Sequence, residues 1–139
     1  MLQFAPIKIE DKEIFEKHSY ALGEGSCDMA FANIFCWAHI HNPEIAVWGG
    51  FIFIRFGGVN GKSHTYMEPI GVGDSIAAFN VLLEYVSSLQ ESLKMAGVSA
   101  NFAEKIRASI PFCGYYLYPK RSQFDYIYNA DYLRTLSGK

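Results

Sequence analysis

The residues best placed to do chemistry stand in one short run, Glu68-Pro69-Ile70-Gly71-Val72-Gly73-Asp74, between a β-rich stretch and a long amphipathic one. Backbone N–H groups at a helix start are unsatisfied and carry the positive end of the dipole, and glycines let a phosphate come close to the main chain. Gly71, Val72 and Gly73 are therefore candidates for holding a phosphate-bearing cofactor. The same glycines also suit a tight strand-to-helix connection that needs positive φ. Asp74 reads as an N-cap, and its charge and that of Glu68 oppose an anion at this helix start. Tyr66 and Glu68 share a face of a regular strand, where a carboxylate beside a phenol could serve as base and acid in amine acylation; a buried hydrogen bond is the plainer account.

Five further tyrosines, Tyr115, Tyr116, Tyr118, Tyr126 and Tyr128, fall on what reads as a last hairpin, where cross-strand aromatic pairs stabilise a sheet. His39 and His41 are two apart and diverge on a helix, so they are not a metal pair, and no metal site is expected. The three cysteines form no CxxC pairing; they suggest reduced, cytoplasmic usage and read as buried structural thiols.

The elements that must position these groups follow from periodicity. Met1 to Ile9, with Pro6, suits a short edge strand, and Glu10 to Tyr20 a helix with acidic residues in its first turn. Ser26 caps a second helix from Cys27 to about His41, apolar on two flanks and ended by Asn42-Pro43. Ile45–Trp48 and Phe51–Phe56 flank Gly49-Gly50, a strong hairpin signal. Ser63–Met67 is a third strand. From Asp74 to about Ala96 the stripe Ile76, Phe79, Leu82, Leu83, Val86, Leu89, Leu93 keeps the helical period. Gly97 ends it, and a strand Val98–Phe102 must then lie parallel to an earlier one. Ala103–Ser109 is a brief helix, Phe112–Tyr118 and Phe124–Tyr128 are strands, and Ala130–Leu136 is a final helical turn or two. The fold class is α/β (α+β): one domain over residues 1–139 with a mixed, mostly antiparallel sheet flanked by helices.

Twelve basic and fourteen acidic residues give a formal charge of −2, which leaves no electrostatic footprint for DNA. The longest apolar run, Phe51–Phe56, is interrupted by Arg55 and too short to span a bilayer, so no transmembrane segment is expected. Half the residues are hydrophobic and 16% aromatic, enough to build one core and to cover a partner-facing surface.

This element order resembles that of the GNAT acyltransferase superfamily, and Glu68 to Gly73 resembles its Q/R-x-x-G-x-G/A pyrophosphate loop, with Glu68 in place of Gln or Arg. More closely, FANIFCW (Phe31 to Trp37), the Pro69-Ile70-Gly71 turn and FDYIYNADYLRTLSGK (Phe124 to Lys139) resemble the N-terminal half of the phosphatidylglycerol lysyltransferase C-terminal domain family, whose members are similar to tandem GNAT-like folds. The resemblance implies one half of a tandem pair, with a second GNAT-like half, or a homodimer mate, as partner, and with any tRNA engaged only through that other half. A non-catalytic half that needs no cofactor is the first expectation. A self-sufficient acyl-CoA-dependent N-acyltransferase is the second; the resemblance would then give Tyr126 or Tyr128 the role of acid toward a leaving thiolate, beside Glu68, with Gly71, Val72 and Gly73 at the cofactor.

Overall fold

The computed structural model describes residues 1–19, 27–57, 63–110, 114–121 and 134. Its centre is the hairpin β2 (Pro43–Trp48) and β3 (Phe51–Phe56), paired antiparallel in unbroken register from Pro43↔Phe56 to Trp48↔Phe51. Gly49 and Gly50, at φ of 57° and 83°, supply the turn that the right-handed strand twist demands. The short edge strand β1 (Ala5–Pro6) lies antiparallel to β2. On the other side of β3 lie β4 (Thr65–Tyr66) and β5 (Ile70–Gly71), both antiparallel to it, in a sheet of five strands.

β3 is apolar on both sides because both are covered. Phe51 and Phe53 pack with Tyr66, Ala78, Leu82 and Val86 under α4 (Ser75–Ser88). Ile52 and Ile54 pack with Phe15 of α1 (Lys12–Ser19) and Ile34 of α2 (Phe31–Cys36). α5 (Ala100–Ser109) closes a third cluster, laying Phe102 and Ile106 against Phe79 of α4. The result is a mixed α+β domain with a mostly antiparallel open sheet between helices, as expected from the sequence.

Several local expectations are corrected. The helix from Cys27 to His41 is broken into a 3-10 turn (Cys27–Met29), α2 and α3 (Ala38–His41). Ala30 is extended (φ −73°, ψ 135°), caps nothing with its side chain, and Trp37 leaves helical geometry at φ −91°, ψ 6°. Both flanks are only partly covered: Phe31 packs against Phe15 and its cluster, but Trp37 and Ile40 are about half exposed, and Cys27 and Cys36 are exposed rather than buried.

The long helix stops at Ser88, eight residues before Ala96, because Gln90 turns left-handed (φ 57°). Residues 91–96 then return extended beside β4, where the Tyr66 N–H donates to the Lys94 carbonyl and the Ala96 N–H to the Tyr66 carbonyl, both at 2.9 Å. Periodicity could not separate these states, since Leu93 reaches the same core from an extended backbone that a helical one would have reached. The parallel pairing therefore falls at Tyr66↔Met95, not at Val98–Phe102. Those residues instead begin α5, whose N-cap Ser99 accepts the Phe102 N–H at 3.1 Å.

Gly114–Tyr118 joins no strand among the described residues, so the strand expected over Phe112–Tyr118 is not seen there. The expected strand Phe124–Tyr128, and with it Tyr126 and Tyr128, lies outside the described residues, as does the final turn over Ala130–Leu136 except Arg134. No helix among the described residues is long and apolar enough to cross a membrane.

Candidate functional site

Strand pairing carries a defect where the candidate loop begins. β4 faces β3 with Arg55↔Tyr66, and β5 faces it with Ile52↔Ile70; three residues, Met67 to Pro69, therefore oppose two, Phe53 and Ile54. This is a one-residue β-bulge, which bends a strand and stops regular pairing on its far edge. Pro69 deepens the break, having no N–H to give. The bulge also ends the alternation that would have set Tyr66 and Glu68 side by side. Tyr66 is buried in the α4-side core, and the Glu68 carboxylate instead accepts the Ser99 N–H at 2.7 Å, at the start of α5.

Burial pushes the Glu68 carboxyl above its ordinary pKa, while hydrogen bonds from Ser99 and the charge of Lys105 pull it back. The group is thus partly desolvated and committed to an internal partner.

Past the bulge, Gly71 is not in a loop. It is buried in β5 opposite Phe51, and a Cβ there would run into the Gly50 carbonyl oxygen and come within 2.9 Å of Phe51 Cα. Close approach of two backbones therefore accounts for this glycine. Val72 is exposed, and Gly73 takes φ 136°, a conformation open to glycine, with the Phe51 ring beneath it. Asp74 caps α4 as expected: its Oδ1 accepts from the Ile76 and Ala77 N–H groups, at 3.0 Å each. Two of the amides that would greet an anion at this helix start are thus already taken.

A second polar constellation, which the sequence reading missed, crosses the sheet at the far end of α4. Glu44, Arg55 and Tyr66 sit opposite one another on three neighbouring strands. Arg55 Nε donates to Glu44 Oε2 at 2.6 Å and a terminal nitrogen to the Tyr85 hydroxyl at 2.7 Å, while the guanidinium lies 4.5 Å from the centre of the Phe4 ring. Burial works against the Arg55 charge, but Glu44 and Tyr85 outweigh it and hold its pKa above the ordinary value. The Tyr66 hydroxyl beside it is buried, close to the Arg55 guanidinium but without hydrogen-bond geometry to it; burial raises its pKa, and the nearby Arg55 N–H groups and charge oppose that rise. His64 Nδ1 stands 3.3 Å from Glu91 Oε2 and joins β4 to the returning segment. The one signal of all this in the sequence is the lone arginine in Phe-Ile-Phe-Ile-Arg-Phe.

At the surface, the His39 and His41 rings lie 6.5 and 6.1 Å from that of Trp37, and the exposed Tyr116 and Tyr118 rings stack at 6.5 Å. Neither group joins the glycine run in one site.

No curated protein matches this chain. Among solved structures it is similar to a conserved protein of unknown function from Bacteroides thetaiotaomicron VPI-5482, with 26% identity and a TM-score of 0.69; the match covers 81% of this chain and 37% of that one. Residues 20–139 match the model of the family described as phosphatidylglycerol lysyltransferase, C-terminal, and the chain belongs to that family.

Proposed function

We propose that this domain is a non-catalytic GNAT-like half of an acyl- or aminoacyltransferase-like protein, and that it packs on a second GNAT-like half to shape a cleft. The observation that carries this is the state of the glycine run: Gly71 is locked in the β3–β5 ladder and Asp74 occupies the α4 amides, so little backbone is left to hold a pyrophosphate. Family membership supplies the transferase character, and the Bacteroides chain, more than twice as long as the region matched, is consistent with a larger assembly. Exposed Trp37, Ile40, Val47, Trp48 and Val72 give a second half apolar surface to cover. Aminoacyl and lipid substrates, as the family's name implies, then belong to the assembled protein, and a tRNA donor reaches it through the other half.

Calorimetry and thermal shift with acetyl-CoA test this directly. The isolated domain is expected to give no heat and no shift at millimolar ligand. Saturable binding that is lost on substituting Gly73→Asp would favour instead the self-sufficient N-acyltransferase, with Gly71, Val72 and Gly73 at the cofactor and Glu68, Tyr126 and Tyr128 as candidate acid–base groups. Crosslinking with mass spectrometry separates a distinct second half from a homodimer mate, since a homodimer returns crosslinks between identical residues.

A further inference from the structure

The bulge leaves the sheet with an unfinished seam. On one side of it, β4 and the returning segment are joined by two backbone bonds, both to Tyr66. A parallel ladder would next use the backbone of residue 68. It does not: Gly97 turns away at φ 68°, and Ser99 N–H, three residues past Ala96, is caught by the Glu68 side chain rather than by its carbonyl. The carboxylate thus spans the point where the two backbones part. Behind it, Ser99 begins α5, and α5 is held to the rest of the fold chiefly by Phe102 and Ile106 on Phe79.

We propose that Glu68 is an internal clasp: it holds the returning segment and α5 against the bulged edge strand as one unit, and its release lets residues 94–109 swing from the sheet together while the β2–β3 hairpin and α4 stay folded. The Glu68 side chain accepts the Ser99 N–H at 2.7 Å, and here that bond replaces the ladder that the bulge interrupts. Such a unit opens below the free energy of global unfolding, as weakly tied elements do. The opened seam would bare the outer edge of β4 at Tyr66, an edge on which an extended strand could add. The inference concerns how the seam is held and stands whether or not the domain binds acyl-CoA.

Amide hydrogen exchange on the whole domain, wild type against Glu68→Ala and Glu68→Gln, tests it. In Glu68→Ala, exchange at Tyr66, Ala96, Ser99 and Phe102 should rise together by about tenfold to a hundredfold, the span expected for losing a hydrogen bond to a charged group. Amides of the β2–β3 hairpin and of Phe79 to Val86 should keep wild-type rates. Glu68→Gln retains an acceptor for Ser99 N–H without the partly buried charge and should keep protection at the wild-type level or above it. If Ser99 alone speeds up, the contact is a local bond and the clasp is refuted. If exchange rises equally at every amide, or nowhere, it is refuted as well.

Discussion

Glu68 and Tyr66 show how burial changes what a residue can be asked to do. Because burial raises the Glu68 pKa, the folded chain keeps its proton to higher pH than the unfolded chain does. Stability from this group therefore falls as pH climbs from about 4.5, its ordinary value, through the raised folded value. Urea titrations of wild type and Glu68→Gln across that range should diverge, the wild type losing stability relative to the variant as pH rises; parallel curves would mean the carboxylate titrates as it does in the unfolded chain. Tyr66 gives the complementary case. A buried hydroxyl without a partner contributes only its desolvation cost, so Tyr66→Phe should be neutral or gain up to about 1 kcal/mol in denaturant unfolding. A loss of about 1 kcal/mol or more would mean that Arg55 or an enclosed water bonds the hydroxyl after all. Neither outcome was legible in the sequence. Pairing Tyr66 with Glu68 required a regular strand, and one inserted residue sent one side chain to the core and the other to α5.

Elements were legible where a local signal and its tertiary setting agreed. The hairpin is the clearest instance: two β-rich runs and a Gly-Gly pair specify strand, turn and register at once. The Asp74 cap was equally plain, because capping depends on the neighbouring amides alone. Legibility failed where the chain contradicts its own period. Leu89 and Leu93 extend the apolar stripe of α4, yet the helix ends at Ser88 and the residues after it serve the sheet. The glycine run failed in a different way. Gly71 looked like a ligand-facing loop residue, whereas its missing side chain makes room for β3. Gly71→Ala should therefore cost about 1–3 kcal/mol or more, as overpacking against backbone does. Gly49→Ala meets nothing within 4 Å and should cost only the roughly 1–2 kcal/mol of a left-handed backbone. Thermal or denaturant melts rank the two; a Gly71→Ala cost no larger than that of Gly49→Ala would mean that β3 and β5 part easily enough to admit a Cβ.

At the scale of the whole domain, β3 joins two layers that would otherwise be separate cores. Phe51 and Phe53 face α4, Ile52 and Ile54 face α1 and α2, and each of the four is almost completely buried. Truncating such a side chain removes transfer energy and leaves a cavity: Phe53→Ala should cost about 3–5 kcal/mol and Ile54→Ala about 2–5. Against a domain stability of about 5–15 kcal/mol, either loss is large. The layers share one strand, so neither can lose its packing without disturbing the other. Far-UV circular dichroism and the fluorescence of Trp37, between α2 and α3, and Trp48, at the hairpin's turn, should therefore give coincident midpoints in both variants, shifted by similar amounts. If Ile54→Ala moved the fluorescence transition while leaving the helical signal of α4 in place, the α1–α2 layer would be a separable unit, and β3 would be a shared boundary rather than a common core.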